Sequence, residues 1–368
     1  MVNTGNLKTK MMRGKISLIV KVCLIVFGFS LILGYTQWNP SIDTDNKKRQ
    51  EYKIIQNQGM SKMIPVNASS SSMTTLSPIA QYDLRILLIV YNRAKSMLRL
   101  LNSINEASFD GDKVKVEVWI DRSKEGVVDP LTVETAEGFV FKHGDYEVIK
   151  HSQHVGIYGQ WLGTWKPRVN SSEIAVILED DLTVSPHFYK YLKLVHNKYD
   201  SIPEINGFAL QGISIKHAIG HSHKMVEAPE DCLVYLYPVL GTWGFSPSRD
   251  NWIHFLEWFS QVNQDKTFQP YIPGNVMTEW FKTFQSQGKA GGVWSIWHIY
   301  HSWKFKEYTL YPNFKGHKGL TTNWKEPGLH YTKSASKPSN ELLMEWKPDY
   351  ENLPDQQKHL DLKGVVQD

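Results

Sequence analysis

The sequence predicts an α/β fold with a mostly parallel central sheet, preceded by an N-terminal transmembrane helix. Three observations carry this. Short, continuously apolar runs at 85–91 and 174–178 have the length and composition of strands covered on both faces. Stretches of helical apolar spacing lie between such runs, so strand and helix alternate with room for right-handed crossovers. Several strands end in polar groups: Asn92-Arg93, Asp121 and Glu179-Asp180-Asp181. In a parallel sheet those ends share one edge, where open α/β folds bind ligands.

The folded part starts near Tyr82. After the first run, Met97, Leu100, Leu101 and Ile104 make a helical stripe. Val114, Val116 and Val118 alternate with Lys115 and Glu117 and lead into Asp121. Asp129-Pro130 opens a helix to about Phe139. Residues 146–149 form a short strand, followed by the glycine-containing His154-Val155-Gly156-Ile157-Tyr158-Gly159, read as a loop and helix before the next strand. The run 174–178 ends in the acidic triplet, and Ser185-Pro186 then opens a helix, with Ser as N-cap and Pro at the first helical position. Phe188, Tyr191, Leu192, Val195 and Tyr199 give that helix its apolar face.

Beyond about residue 205 the pattern changes. A strand-like stretch at 208–213 leads to a loop with His217, His221 and His223, then a second at 233–240 and an aromatic helix around 252–259. The three histidines have no Cys or acid nearby, so an exposed loop is preferred to a metal site. Eleven of the thirteen tryptophans lie between Trp161 and Trp346. A buried aromatic core explains most of them, and a sugar-binding cleft would use a few.

The N-terminal region reads differently. Residues 1–15 carry four bases and no acid, and 16–35 are apolar except for Ser17, Lys21 and Ser30. At about 1.5 Å per residue this stretch is long enough to cross a hydrocarbon core. A signal anchor is preferred to a cleaved signal peptide, because no small-x-small site follows it. The bases precede the span and the next one is Lys47, which puts the 1–15 tail in the cytosol and the rest in the lumen. Residues 36–82 lack apolar periodicity and read as a flexible stem. The main domain is expected at 83–335, with a C-terminal extension at 336–368. Asn67-Ala68-Ser69 and Asn170-Ser171-Ser172 are glycosylation sequons.

The net charge of +4 is concentrated at the start: residues 1–50 hold eight Lys/Arg against two Asp, so the remainder nets −2. That balance excludes nucleic acid as the expected partner. The two cysteines are Cys23, in the apolar span, and Cys232. The folded part therefore has no internal disulfide, and Cys232 is expected as a buried thiol.

The acidic triplet alone is a weak signal, since chance supplies one in roughly one chain of this length in three. Its place directly after a buried strand gives it weight. Three carboxylates crowded there repel one another and want a cation. Hard oxygen ligands suit Mg2+ or Mn2+ together with substrate phosphates. We read the tip as a metal-diphosphate site; a solvated acidic loop is the alternative.

The stretch Leu178-Glu179-Asp180-Asp181-Leu182-Thr183-Val184-Ser185-Pro186-His187-Phe188-Tyr189-Lys190-Tyr191-Leu192 resembles the acidic-motif segment of the N-acetylglucosaminyltransferase I family, which includes the protein O-mannose enzyme. The likeness follows the order of elements over roughly 84–335 and is close near the triplet. It implies the nucleotide-sugar (GT-A) fold in a Golgi type II membrane protein. It also implies inverting, Mn2+-dependent transfer of GlcNAc from UDP-GlcNAc to a glycan or glycoprotein acceptor. By the same resemblance Asp181 is the metal ligand, and Glu179 and Asp180 hold ribose, metal-bound water and sugar. Arg93 matches an arginine that contacts the nucleotide, and Asp121 an acid that meets the uridine. Thr278-Glu279-Trp280-Phe281 resembles the segment with the catalytic base, which points to Glu279. Lys325-Glu326-Pro327-Gly328-Leu329-His330 resembles the loop over the diphosphate, which makes Lys325 and His330 donor-binding candidates. The chain departs from the family in three respects. Glu279 stands where the family has Asp, a uracil-contacting histidine has no counterpart around Gly163, and the family's disulfide cysteines are absent.

The chemistry is consistent with those residue types. An inverting transfer is a single displacement, so a carboxylate must accept the proton of the attacking hydroxyl. Positive groups must offset the charge growing on the leaving diphosphate. From the residues alone, Glu279 is equally a surface glutamate, Arg93 a surface arginine and Asp121 a capping aspartate. Donors such as UDP-Gal or UDP-GalNAc, a retaining transfer, and a catalytically silent sugar-binding protein on the same fold are the alternatives.

Overall fold

Strand β1 (Leu84–Val90) shows why its apolar run is continuous. Leu84, Ile86, Leu88 and Val90 join one hydrophobic core, and Leu87 and Ile89 join another on the opposite face. The computed structural model describes residues 82–168, 171–217, 223–265, 267–328 and 337–367. The expected tail, the 16–35 span, the stem up to residue 81, both sequon asparagines and His330 lie outside these residues. Among the described residues, no helix is long and apolar enough to cross a membrane.

After β1 come α1 (Ala94–Asn105), β2 (Val114–Ile120), α2 (Pro130–Glu137), β3 (Gly144–Lys150) and α3 (Gly156–Gly163). Next are β4 (Ile174–Glu179), β5 (Leu182–Val184), α4 (Phe188–Tyr199), β6 (Ile205–Ala209), β7 (Ile215–His217) and β8 (His223–Met225). Then follow β9 (Val234–Tyr237), β10 (Phe245–Pro247), α5 (Arg249–Val262), α6 (Val276–Ser286), α7 (Ser295–Phe305) and β11 (Tyr308–Pro312). The chain ends with β12 (Thr321–Asn323), β13 (Lys358–Leu360) and β14 (Val366–Gln367).

Ten strands form one sheet in the order β14-β13-β9-β11-β6-β10-β4-β1-β2-β3. β3, β2, β1 and β4 are mutually parallel, β6 and β11 run the same way, and β10 is antiparallel between β4 and β6. Helices α1 and α4 contribute to one core; α3, α5, α6 and α7 contribute to the other. This is the mostly parallel, helix-covered α/β sheet the sequence predicts. The stripe Met97, Leu100, Leu101 and Ile104 is fully buried. Leu100→Ala would cost about 2–5 kcal/mol by leaving a cavity.

Register fixes where the polar tips fall. Val90 lies opposite Ile120, and Ile89 opposite Glu179. The residues that follow β1, β2 and β4 therefore emerge at one edge.

Two local expectations are corrected. The helix expected to open at Ser185-Pro186 begins at Phe188, with His187 as its N-cap. The chain leaves the two-stranded ribbon of β5 and β12 at Val184, and Ser185 N donates to Leu320 O at 2.8 Å before a turn at 186–187. Ser185 Oγ caps a turn instead, accepting from His187 N at 3.1 Å. The glycine-containing stretch, expected as a loop and helix, enters α3 at Gly156, whose φ of 62° suits glycine. The strand expected at 208–213 is β6, which ends at Ala209. Residues after 336 supply β13 and β14 to the same sheet.

Candidate active site

The acidic turn is gathered at the carboxyl end of β4. Glu179 closes the strand, and Asp180 and Asp181 form the turn into β5. Arg93, just past β1, reaches across to this turn. Its Nη2 pairs with Asp180 Oδ1, and its Nη1 lies 3.3 Å from Asp181 Oδ2. Two carboxylates thus share one guanidinium. Burial pushes Asp180 up to about 6, with Arg93 opposing. Glu179 is pushed up to about 8 by burial, then by the neighbouring Asp181 charge. Burial works against the charged Arg93, yet Asp180 and Asp181 carry its pKa above the usual value.

Helix α3 ties the strand ends together. Gln160 Nε2 donates to Val90 O at 2.9 Å and to Trp119 O at 3.1 Å, joining the ends of β1 and β2. Trp161 Nε1 donates to Glu179 Oε1 at 3.0 Å, while its ring stacks on Trp294 at 4.4 Å. Asp121 holds this helix in place. Its Oδ1 accepts from Val155 N at 2.9 Å, its Oδ2 accepts from Gly156 N at 2.8 Å, and His154 Nδ1 lies 3.2 Å away. The residue expected at the uridine thus also anchors the α3 N-terminus, a capping contact open to it from sequence.

The other side of the turn is β12. Its pairing with β5 sets Asn323 opposite Leu182. Asn323 Nδ2 donates to Asp181 Oδ1 at 2.9 Å, and Trp324 N donates to Asp181 O at 3.0 Å. Lys325 follows, with φ 51° and its N–H on Asn323 Oδ1 at 2.7 Å. Its backbone thus lies beside the acidic turn. Glu326 is pinned to α1 through Arg99 at 3.1 Å and Ser96 Oγ at 3.0 Å, and the Arg99 guanidinium lies 4.4 Å from the Trp324 ring centre.

Glu279 is placed differently. It lies in the first turn of α6, whose N-cap Asn275 accepts from Met277 N at 2.8 Å. Its side chain is 60% exposed and 3.5 Å from Lys282 on the same helix. The structure thus brings Arg93, Asp180 and Asp181 into contact with Glu179 next in the chain, sets Lys325 one hydrogen-bonded step away through Asn323, places Asp121 at the end of the neighbouring β2, and leaves Glu279 on a separate helix.

Sequence reasoning missed Gln160, Trp161 and Asn323. A lone amide or indole carries no spacing signal, and only the folded register brings Trp161 and Asn323 to the turn and Gln160 to the ends of β1 and β2. It also missed a second titratable cluster in the helical layer. His301 Nε2 lies 3.0 Å from His254 Nδ1, and His301 Nδ1 lies 3.4 Å from Glu307 Oε2. Cys232 is a buried free thiol, as expected.

No protein-family model matches the sequence, and no curated protein matches it. Solved structures do resemble the chain. The mannosyltransferase PcManGT from Pyrobaculum calidifontis, in complex with GDP-Man and Mn2+, aligns with a TM-score of 0.32 and 16% identity, over 49% of this chain and 47% of its own. S. aureus TarS 1–349 in complex with UDP-GlcNAc aligns at 0.33 and 12% identity, over 54% and 53%. The same TarS fragment with UDP aligns at 0.34 and 12%, over 62% and 60%. The chain thus spans about half the length of the structures it matches. At these scores, the chemistry has to be read from the site itself.

Proposed function

We propose that the chain is a glycosyltransferase that moves a sugar from a nucleotide-diphosphate donor to a glycan or glycoprotein acceptor. One observation supports this most. Asp180 and Asp181 meet a single arginine, with Glu179 directly before them, at the carboxyl edge of a mostly parallel sheet. A carboxylate cluster of that kind is suited to a metal and a diphosphate.

The residues present fit Mn2+. All the donors are hard carboxylate oxygens; burial first, and the neighbouring Asp181 charge after it, make Glu179 and Asp180 hold protons more tightly than usual, which a bound cation would relieve. Asp181 would be the direct ligand, with Asp180 and Glu179 around it. When bound, the cation would offset charge on the leaving diphosphate. The chain's own groups do the rest. Arg93 and Lys325 would donate to the diphosphate, and His330 would join them from the same loop. Trp161 and Asn323 orient Glu179 and Asp181 through the hydrogen bonds described above. Glu279 would accept the proton of the acceptor hydroxyl as its oxygen attacks the anomeric carbon and UDP leaves with inversion.

UDP-GlcNAc as donor, and a type II Golgi membrane setting with the catalytic domain in the lumen, complete the reading. They rest on the resemblance around the acidic turn and on the apolar 16–35 stretch. The test is hydrolysis of a panel of UDP-sugars with and without Mn2+, followed by anomeric analysis of the product. Mn2+-dependent turnover of UDP-GlcNAc with inverted product is expected. Preference for UDP-Gal or UDP-GalNAc would correct the donor, and a retained anomer the mechanism. Failure to turn over or bind any nucleotide sugar would overturn the proposal and leave a sugar-binding protein.

A further inference from the structure

The two carboxylate oxygens of Asp181 have different partners. Asn323 Nδ2 donates to Oδ1 at 2.9 Å, and Arg93 Nη1 to Oδ2 at 3.3 Å. These partners differ in how firmly they are held. Asn323 is buried on β12, its own Oδ1 accepts from Lys325 N at 2.7 Å, and the next residue's N–H is on the Asp181 carbonyl. Both ends of its amide are committed, and the β5–β12 ladder fixes the peptide that carries it. Arg93 stands on a long side chain that is 29% exposed, so it has room to leave. Asp180, which shares it, is 2% exposed and has none.

We propose that Arg93 is a built-in counter-cation that occupies Asp181 Oδ2, and that a divalent cation gains this oxygen only as Arg93 swings out. Asn323 is a positioning residue that keeps Oδ1 engaged and Oδ2 facing the cation. This rests on the metal-diphosphate reading of the same turn. It adds a direction that reading lacks. The guanidinium displaced by the cation is freed for the diphosphate, so cation and nucleotide reinforce each other's binding. Removing Arg93 therefore strengthens cation binding on its own, although it weakens nucleotide binding.

The test is titration of the full chain with Mn2+ alone at pH 8, read by the electron paramagnetic resonance signal of free Mn2+, then repeated with UDP present. Without UDP, Arg93→Met is expected to bind Mn2+ at least about tenfold tighter than wild type, with Arg93→Lys in between. Asn323→Ala is expected to bind about tenfold more weakly than wild type, and Asp181→Asn not at all. UDP is expected to tighten Mn2+ binding in wild type by a larger factor than in Arg93→Met. Should Arg93→Met not fold, Arg93→Lys carries the comparison. Mn2+ binding in the Arg93 variants equal to or weaker than wild type, without UDP, would overturn the inference. If wild type takes up Mn2+ only with UDP and the Arg93 variants behave alike, this inference alone falls. If no form takes up Mn2+ even with UDP, the metal-diphosphate reading falls with it.

Discussion

The acidic turn and the helix that carries Glu279 are built on different principles. Around the turn, each acidic side chain is held from another element: Asp180 and Asp181 by Arg93 after β1, Glu179 by Trp161 on α3, Asp181 again by Asn323 on β12. Glu279 is mostly solvent-exposed, with its ion-pair partner Lys282 on the same helix. The first region is organised before any ligand arrives. The second has a side chain whose orientation its own helix and water decide. Preorganised charge suits the fixed chemistry of a diphosphate, and an adaptable carboxylate suits an acceptor that orders it on binding.

The largest expected effect breaks the first region. Asp181→Asn removes one of the carboxylates while keeping the Asn323 contact sterically possible. Transfer should fall by about a hundredfold to a thousandfold with circular dichroism unchanged. Undiminished Mn2+-dependent turnover in this variant would show that the turn is not the metal site.

Glu279→Gln probes the second region. As the base, it should lower kcat by about a hundredfold or more and leave UDP-sugar affinity intact. A rate equal to wild type would make Glu279 the exposed surface residue its surroundings resemble.

The pH dependence of stability separates the two regions by physics alone. Glu179 and Asp180 hold protons more tightly folded than unfolded, at about 8 and about 6. The folded state therefore binds the extra protons, and the stability they contribute is lost as pH rises through those values. Without metal, the Tm should drop by roughly 5 °C between pH 6 and pH 8.5. Added Mn2+ should abolish that drop, because a bound cation favours the ionised carboxylates. A metal-free Tm that rises over this range would contradict the crowding of charge at the turn.

The smallest effect sharpens the comparison. Trp161→Phe keeps a ring to stack on Trp294 but removes the N–H on Glu179. A loss of about 1 kcal/mol in denaturant unfolding is expected. No change would mean that Glu179 is held by the other groups around it.

How much of this was legible in the sequence follows from range. Strands β1 and β4 and the stripe on α1 were readable, because apolar period is local and burial on two faces removes alternation. Arg93 and the acidic triplet were readable as neighbours, because a parallel sheet forces strand ends together. Asp121 was placed at the same edge, and its carboxylate meets the N-terminus of α3. Nothing local to Asp121 announces a helix that begins thirty-five residues later. The Ser185-Pro186 helix start is displaced to Phe188 by partners from far along the chain, since Ser185 is bonded to the carbonyls of Leu320 and Leu343. Asn323 was invisible for the same reason: its role exists only in the register of the β5–β12 ribbon.

The central claim is that the acidic turn binds a nucleotide diphosphate together with a divalent cation. Calorimetry of UDP binding to the full chain tests it most directly, with and without Mn2+, in wild type and Asp181→Asn. Binding should appear in wild type with Mn2+, weaken sharply without it and vanish in Asp181→Asn. UDP binding of equal strength in all of these, or in none of them, would contradict the account.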